Sequence, residues 1–203
     1  MPKKELPRKV VHTEHLWYTP LWHTTVEHFR KHPTRVTFNE DMESWIKEEM
    51  KKESRVKSNR GGWQSDLIEP KPDGVFSPLI DEIYEMMKAL PIQMNKGIWI
   101  PQLWVNVNKR HDYNLIHQHG QYVISGTYYV KVPKDSGRII FRDPRPGAIG
   151  NYRLNTDIDK GEFRHYTPVD GTLMLWPSYL DHMVEPSNSN KERISISFDI
   201  RVW

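Results

Sequence analysis

Hydrophobic and polar positions alternate with a period of two in much of the second half of the chain. The clearest case is 193–202, RISISFDIRV, where every second residue is apolar. Successive side chains of a strand point to opposite faces, so this period predicts a strand with one apolar and one polar side. Further short strands, separated by Gly and Pro turns, are predicted at 97–108, 122–132, 138–142, 162–167 and 172–176. We therefore predict an antiparallel β core that begins at about residue 97.

Apolar positions recur with a period of about 3.6 residues in the N-terminal half, which predicts two helices. The first lies near 39–54, with acidic residues in its first turn and lysines in its last, as the helix dipole favours. The second lies near 77–90, where Pro78 suits the first turn and Pro91 ends the apolar stripe. Two helices flanking a β core, with no linker that divides the chain, predict one mainly β domain.

Composition limits the kinds of protein that fit. The 203 residues are enough for one domain, predicted over 11–203, after a disordered basic tail at 1–10. The net charge of +3 is too small to indicate nucleic acid as a partner. The sequence has neither an apolar leader nor the roughly 18-residue apolar run of a membrane span, so we predict a cytoplasmic protein without a membrane partner. Because cysteine is absent, any metal site must use histidine and carboxylate.

Three histidines have a spacing that suits a metal site. His117 and His119 lie two positions apart at the start of a β-rich run, and such residues of a strand share one side. His182 lies far downstream, at another strand-like edge. In a jelly roll the late strands lie beside early ones, which would bring His182 to the pair. Three facing ligands with open positions suit non-haem Fe(II), although imidazole also binds zinc, copper and nickel.

Arg193 and Ser195 share one face of the last predicted strand. A buried guanidinium near a metal would offer a bidentate clamp for a carboxylate. Two other classes of protein stay open at this point, because a fold does not fix a function. One is a non-catalytic jelly-roll binding or structural module. The other is a cupin-like metal enzyme without an oxo-acid co-substrate, which would have no need of Arg193 and Ser195.

From Gly61 to Ile200 the sequence resembles the small 2-oxoglutarate/Fe(II) oxygenases of phage and bacterial genomes. The resemblance rests on GGWQSDL, the HQH pair, SGTYYVKVPKDSGRIIFRDPRP and PVDGTLMLWPSYLDHMVEPSNSNKERISISFDI. It implies a double-stranded β-helix (jelly-roll) fold, Fe(II) as the metal and 2-oxoglutarate as the co-substrate. It also implies hydroxylation of a prime substrate, which the sequence does not identify, with release of succinate and CO2. For a phage-encoded protein the compartment would be the host cytoplasm.

The resemblance also implies roles for individual residues. His117 and His182 match the first and last metal ligands. Arg193 matches the arginine that binds the co-substrate carboxylate, with Ser195 as its partner, and Tyr129 matches a tyrosine that hydrogen-bonds the co-substrate in some relatives. His119 stands where an aspartate or glutamate is expected. We interpret His119 as a third ligand; the alternative is that it lies behind the ligands and water takes its place.

The entrance for the prime substrate is predicted from a long loop and two aromatic residues. The connection 142–161 is rich in Pro, Gly, Asp and Asn, and loops of this length are often lids or binding loops. We expect it to border the entrance together with Trp99 and Trp104. Asp181, next to His182, points to the other side of a strand and is not expected to bind the metal.

Overall fold

The computed structural model describes residues 18–26, 38–91, 97–145 and 162–202, so the predicted tail at 1–10 lies outside the described residues. In chain order the elements are β1 Trp22–Thr25, α1 Phe38–Glu49, β2 Asn59–Arg60, β3 Trp63–Gln64, α2 Ser77–Ala89, β4 Ile98–Asn108, β5 Tyr113–His117, β6 Ile124–Lys131, β7 Ile139–Arg142, β8 Phe163–Tyr166, β9 Thr172–Pro177, β10 His182–Val184 and β11 Arg193–Val202. The helix α1 ends five residues before the predicted end at 54, whereas α2 agrees with the predicted span 77–90 to within one residue.

The strands form two antiparallel sheets. In the described ranges the larger sheet has the order β1-β9-β6-β11-β4-β3, and the smaller has the order β2-β5-β10-β7-β8. Neighbouring strands are distant in sequence: β11 lies between β4 and β6, and β10 lies between β5 and β7. Residues from both sheets, with Leu180 from the loop before β10, form a small apolar cluster that includes Phe141 and Trp176. This arrangement of two facing sheets is the jelly roll that the sequence predicted.

The central strand β11 presents two different faces. Its outward face, Ile194, Ile196, Phe198 and Ile200, is buried in the main apolar core. The same core contains Met42 and Ile46 of α1 and Leu79 and Ile83 of α2, so both helices pack on this side of the larger sheet. Its inward face, Arg193, Ser195, Ser197 and Asp199, looks toward the smaller sheet. The period of two in the sequence therefore separates the helix-packed core from a polar interior between the sheets.

Candidate metal and co-substrate site

Three imidazoles meet at the end of the smaller sheet, and we call them the histidine group: His117, His119 and His182. His117 ends β5 and lies directly opposite His182, the first residue of β10. Their ring centroids are 4.3 Å apart, and the ring of His119 lies 5.1 and 5.2 Å from those of His117 and His182. One nitrogen from each ring lies within 4.8 Å of the others. The three rings can therefore share one cation, and Asp181 is not part of this group.

Hydrogen bonds set which nitrogen two of these rings offer. His117 Nδ1 lies 2.7 Å from the carbonyl oxygen of Leu115, and His182 Nδ1 lies 3.0 Å from that of Leu180. A carbonyl oxygen only accepts, so both Nδ1 atoms donate and both Nε2 atoms are left as metal-binding lone pairs. Burial is the main factor that lowers the pKa of His182 well below its ordinary value, and it also lowers the pKa of His117. Both rings are thus held in the neutral form that metal binding requires.

His119 is held differently, from two sides. Its backbone N–H donates to the carbonyl of Ser178 at 2.8 Å. Its Nδ1 lies 2.7 Å from Oδ1 of Asp199, whose side chain is only 3% exposed. An ionised carboxylate only accepts, so this contact also leaves Nε2 free for a metal. The ring centroid of His119 lies 5.6 Å from that of Trp104, which packs beside it.

Arg193 is a buried cation without an acidic partner in the described ranges. Its side chain lies among the most deeply buried of the chain, and burial lowers its pKa. Nη2 donates to Oδ1 of Asn108 at 2.9 Å, and Nη1 has only 3.4 Å contacts with the carbonyls of Ser136 and Gly137. Its Nε has no hydrogen-bond partner among the described residues. Because an unpaired buried charge is strongly destabilising, this guanidinium fits the carboxylate of a bound ligand.

Three further side chains lie in the cavity between Arg193 and the histidine group. Tyr129 and Ser195 are directly opposite one another on β6 and β11, and both are buried. Burial raises the pKa of Tyr129 to about 12, so its hydroxyl stays protonated near neutral pH. The indole N–H of Trp176 is buried without a partner in the described part of the chain. The orphaned donors of Trp176 and Arg193 provide hydrogen bonds that a bound oxo-acid could accept.

Two cavities meet at the histidine group. The inner cavity, between the sheets, is lined by Arg193, Ser195 and Tyr129. The outer groove has a volume of about 810 Å³ and is open to solvent. His117, His119, Trp104 and Ser58 line both, so a metal held by the histidine group would face each of them.

The structure locates only some of the residues that were predicted to border the substrate entrance. Trp104 borders both cavities, whereas Trp99 lines neither and lies near Arg201, whose Cζ is 5.9 Å from the ring centroid. In the predicted loop, residues 146–161 lie outside the described residues. Neither described helix is long and apolar enough to cross a bilayer.

Comparison with known proteins gives the fold first and then the family. The structure resembles a prolyl-4-hydroxylase of Pseudomonas putida (13% identity, TM-score 0.63, covering 91% of this chain and 94% of that chain). It also resembles the viral collagen prolyl hydroxylase of Paramecium Bursaria Chlorella virus-1 with 2OG (16%, 0.57, 89% and 96%) and HygX of Streptomyces hygroscopicus with nickel and 2-oxoglutarate (10%, 0.59, 91% and 83%). At such identities the likeness establishes the jelly-roll fold.

Residues 102–199 match the family model described as "Putative 2OG-Fe(II) oxygenase". This match covers just under half of the chain, and it agrees with the resemblance to 2-oxoglutarate-dependent Fe(II) oxygenases that the sequence predicted. The family that this model describes uses Fe(II) and 2-oxoglutarate, in agreement with the cofactor and co-substrate predicted from the resemblance. A search of the curated proteins found no match to the sequence.

Sequence reasoning missed three residues that the structure places around the site. Asn108 contacts Arg193, and Asp199 contacts His119. The third is Trp176, whose buried indole N–H has no hydrogen-bond partner among the described residues. A signal for Asp199 was present in the sequence, because it shares the polar face of β11 with Arg193. An acid at such a position has to find a partner inside the fold.

Proposed function

We propose that the histidine group holds Fe(II) and that Arg193 binds the distal carboxylate of 2-oxoglutarate in the inner cavity. The observation that supports this most strongly is that the buried guanidinium of Arg193 lines the same cavity as three imidazoles and has no acidic partner among the residues that the structure describes. A binding module or a cupin-like enzyme would have no reason to keep such a charge there. Ser195 and Tyr129, on the same wall, orient the co-substrate through their hydroxyls.

His119 is a ligand in this proposal rather than a residue behind the ligands. Its Nδ1 contacts Asp199, so the remaining Nε2 is the nitrogen available to the metal. The ring centroids of His117 and His182 lie at nearly equal distances from that of His119, which fits three ligands around one ion. Three imidazoles form a set that iron, nickel, zinc or copper can accept.

The proposed reaction is hydroxylation of a prime substrate in the outer groove. When bound by the histidine group, Fe(II) would supply the activation of O2, by which one oxygen atom would enter succinate as CO2 is released and the other would convert a substrate C–H into C–OH. The protein orients both substrates and keeps bulk water out of the inner cavity. Among structural neighbours, one is described with a hypoxia inducible factor peptide fragment and another with hygromycin B. The open groove beside the histidine group has room for either kind of substrate.

The test is an anaerobic titration with Fe(II) and 2-oxoglutarate, followed by the visible charge-transfer absorption of the chelate. Wild-type protein should develop the band. Arg193→Gln should keep Fe(II) but bind 2-oxoglutarate about 30-fold or more weakly, because truncating one partner of a buried charge pair costs about 2–5 kcal/mol.

Arg201→Gln is the matched control, because Arg201 lies on the same strand but is exposed and lines neither cavity. It should bind 2-oxoglutarate as the wild type does. Equal affinity in the Arg193 and Arg201 variants would remove Arg193 from the co-substrate site, and absence of the band in wild type would contradict the proposed function itself. Aerobic release of succinate, measured with and without candidate substrates, then tests turnover.

A further inference from the structure

A buried carboxylate, that of Asp199, lies directly behind one ring of the histidine group. His119 stands where a carboxylate ligand is expected, and its Nδ1 is 2.7 Å from Oδ1 of Asp199. Asp199 comes from β11, 80 residues later in the chain, so this contact is built by the fold and not by local sequence. An acidic side chain thus lies close to the histidine group, but behind the ring of His119.

The three rings of the histidine group differ in what holds them. His117 and His182 each donate to a neutral carbonyl oxygen two residues earlier in their own strand or loop. Only His119 donates to a carboxylate. A carboxylate that accepts from a metal-binding imidazole fixes its orientation and raises its basicity, which strengthens its bond to the metal. Of the three rings, His119 is therefore the one that a carboxylate orients and makes more basic.

The carboxylate of Asp199 is itself fixed from behind. Ser125 Oγ donates to the same Oδ1 at 2.6 Å, and Ser178 Oγ lies 3.0 Å from Ser125 Oγ. Ser178 also accepts the backbone N–H of His119 through its carbonyl, which closes a ring of contacts around the imidazole. Ser125, Ser178 and Asp199 are all buried.

The net charge of the proposed site also favours a nearby carboxylate. With three neutral imidazoles as ligands, Fe(II) and the Arg193 guanidinium would carry three positive charges, and the two carboxylates of 2-oxoglutarate would balance only two of them. In the described ranges no lysine or arginine pairs with Asp199, so its negative charge is not neutralised by another side chain. An acid with only a structural role would have no need to contact a ring of the histidine group. The carboxylate of Asp199 does contact one, the imidazole of His119.

We propose that Asp199 is a positioning residue that completes the metal site through His119. It holds the Nδ1–H tautomer, directs Nε2 to the metal and supplies the negative charge that a carboxylate ligand would otherwise bring. This inference rests on the proposed function, because it requires the histidine group to bind a metal.

The experiment compares Asp199→Asn with Asp181→Asn, the same substitution at an acid that adjoins His182 but has no hydrogen bond to a ring. Two measurements are made on the full chain: long-range ¹H–¹⁵N NMR of the metal-free protein, which identifies the tautomer of His119, and affinity for Co(II) and Fe(II) without 2-oxoglutarate. Asp199→Asn should bind either metal about 10- to 100-fold more weakly, the usual effect of removing a carboxylate behind a metal-binding imidazole. Asp181→Asn should stay within about threefold of wild type, because its charge acts without a hydrogen bond.

The Nδ1–H tautomer should dominate at His119 in wild type, and its population should fall in Asp199→Asn. Equal metal affinity for the two Asn variants and wild type would overturn the role of Asp199 while leaving the metal site intact. A wild-type protein that binds no metal would instead contradict the proposed function, and the tautomer of His119 would still report on the contact with Asp199. If Asp199→Asn does not fold, Ser125→Ala serves as the second variant. It loosens the carboxylate and should weaken metal binding by a smaller factor; unchanged affinity there would count against the proposal.

Discussion

The two faces of β11 alternate residue by residue, yet they contribute to different properties of the protein. Every residue of the outward face is a buried hydrophobic that packs with α1 and α2. The inward face carries a cation at its first residue, Arg193, and an anion six residues later, Asp199, both about 2% exposed. Burying apolar area stabilises the fold, whereas burying charges opposes it unless they are paired.

Side-chain direction alone therefore gives β11 two roles: its outward face stabilises the fold, and its inward face lines the candidate site. Arg193 lines the inner cavity, where we propose that the co-substrate binds, and Asp199 lies beside His119 and borders the outer groove. Between them, Ser195 and Ser197 keep this wall of the inner cavity polar. Substitutions at neighbouring positions of β11 should therefore change different measurements, and the following experiments test that separation.

The largest effect is expected for His182→Ala, on the smaller sheet that faces the inward side of β11. Removing a ligand from a three-imidazole site should abolish Fe(II) binding, because two neutral imidazoles hold the ion weakly. Metal content of the purified protein, measured by elemental analysis after anaerobic loading, checks this. His165→Ala is the control, since His165 is exposed on β8 and lies outside the histidine group. Unchanged metal content in His182→Ala would refute its role as a ligand.

Phe198→Ala tests the outward face. Phe198 is fully buried in the helix-side core, and truncating a buried phenylalanine typically lowers the free energy of unfolding by about 3–5 kcal/mol. Urea unfolding of the metal-free protein measures this, with Ser197→Ala, one residue away on the inward face, as the comparison at about 1 kcal/mol or less. The Fe(II) affinity of the folded Phe198→Ala protein should stay close to that of wild type. A large loss of metal affinity would show that the two faces are coupled.

The sequence predicted the parts of this arrangement that depend on local pattern. The period of two placed β4, β6, β9 and β11 within a few residues of their observed ends, and the H-x-H spacing brought His117 and His119 to the same place. The missed parts depend on contacts between distant segments. The sequence around His119 does not indicate that Asp199 is its partner. The sequence around Trp176 does not indicate that its indole N–H lacks a hydrogen-bond partner among the described residues. Short elements such as β10 were also hard to predict, because three residues carry too little pattern.

The smallest effect is expected for Tyr129→Phe, on β6 directly beside Ser195 of β11. In the proposed site the phenol would donate one neutral hydrogen bond to the co-substrate, so its loss should weaken 2-oxoglutarate binding by about 2- to 10-fold, corresponding to about 0.5–1.5 kcal/mol. Because burial raises the pKa of Tyr129 to about 12, the hydroxyl stays protonated from pH 6 to 10, and the ratio of the wild-type to the variant affinity should not change over that range. Calorimetric titration with 2-oxoglutarate at several pH values measures the ratio. A ratio that falls toward one as the pH rises from 8 to 10 would mean that the phenol ionises there, which would require a more hydrated interior than the inward face of β11 implies.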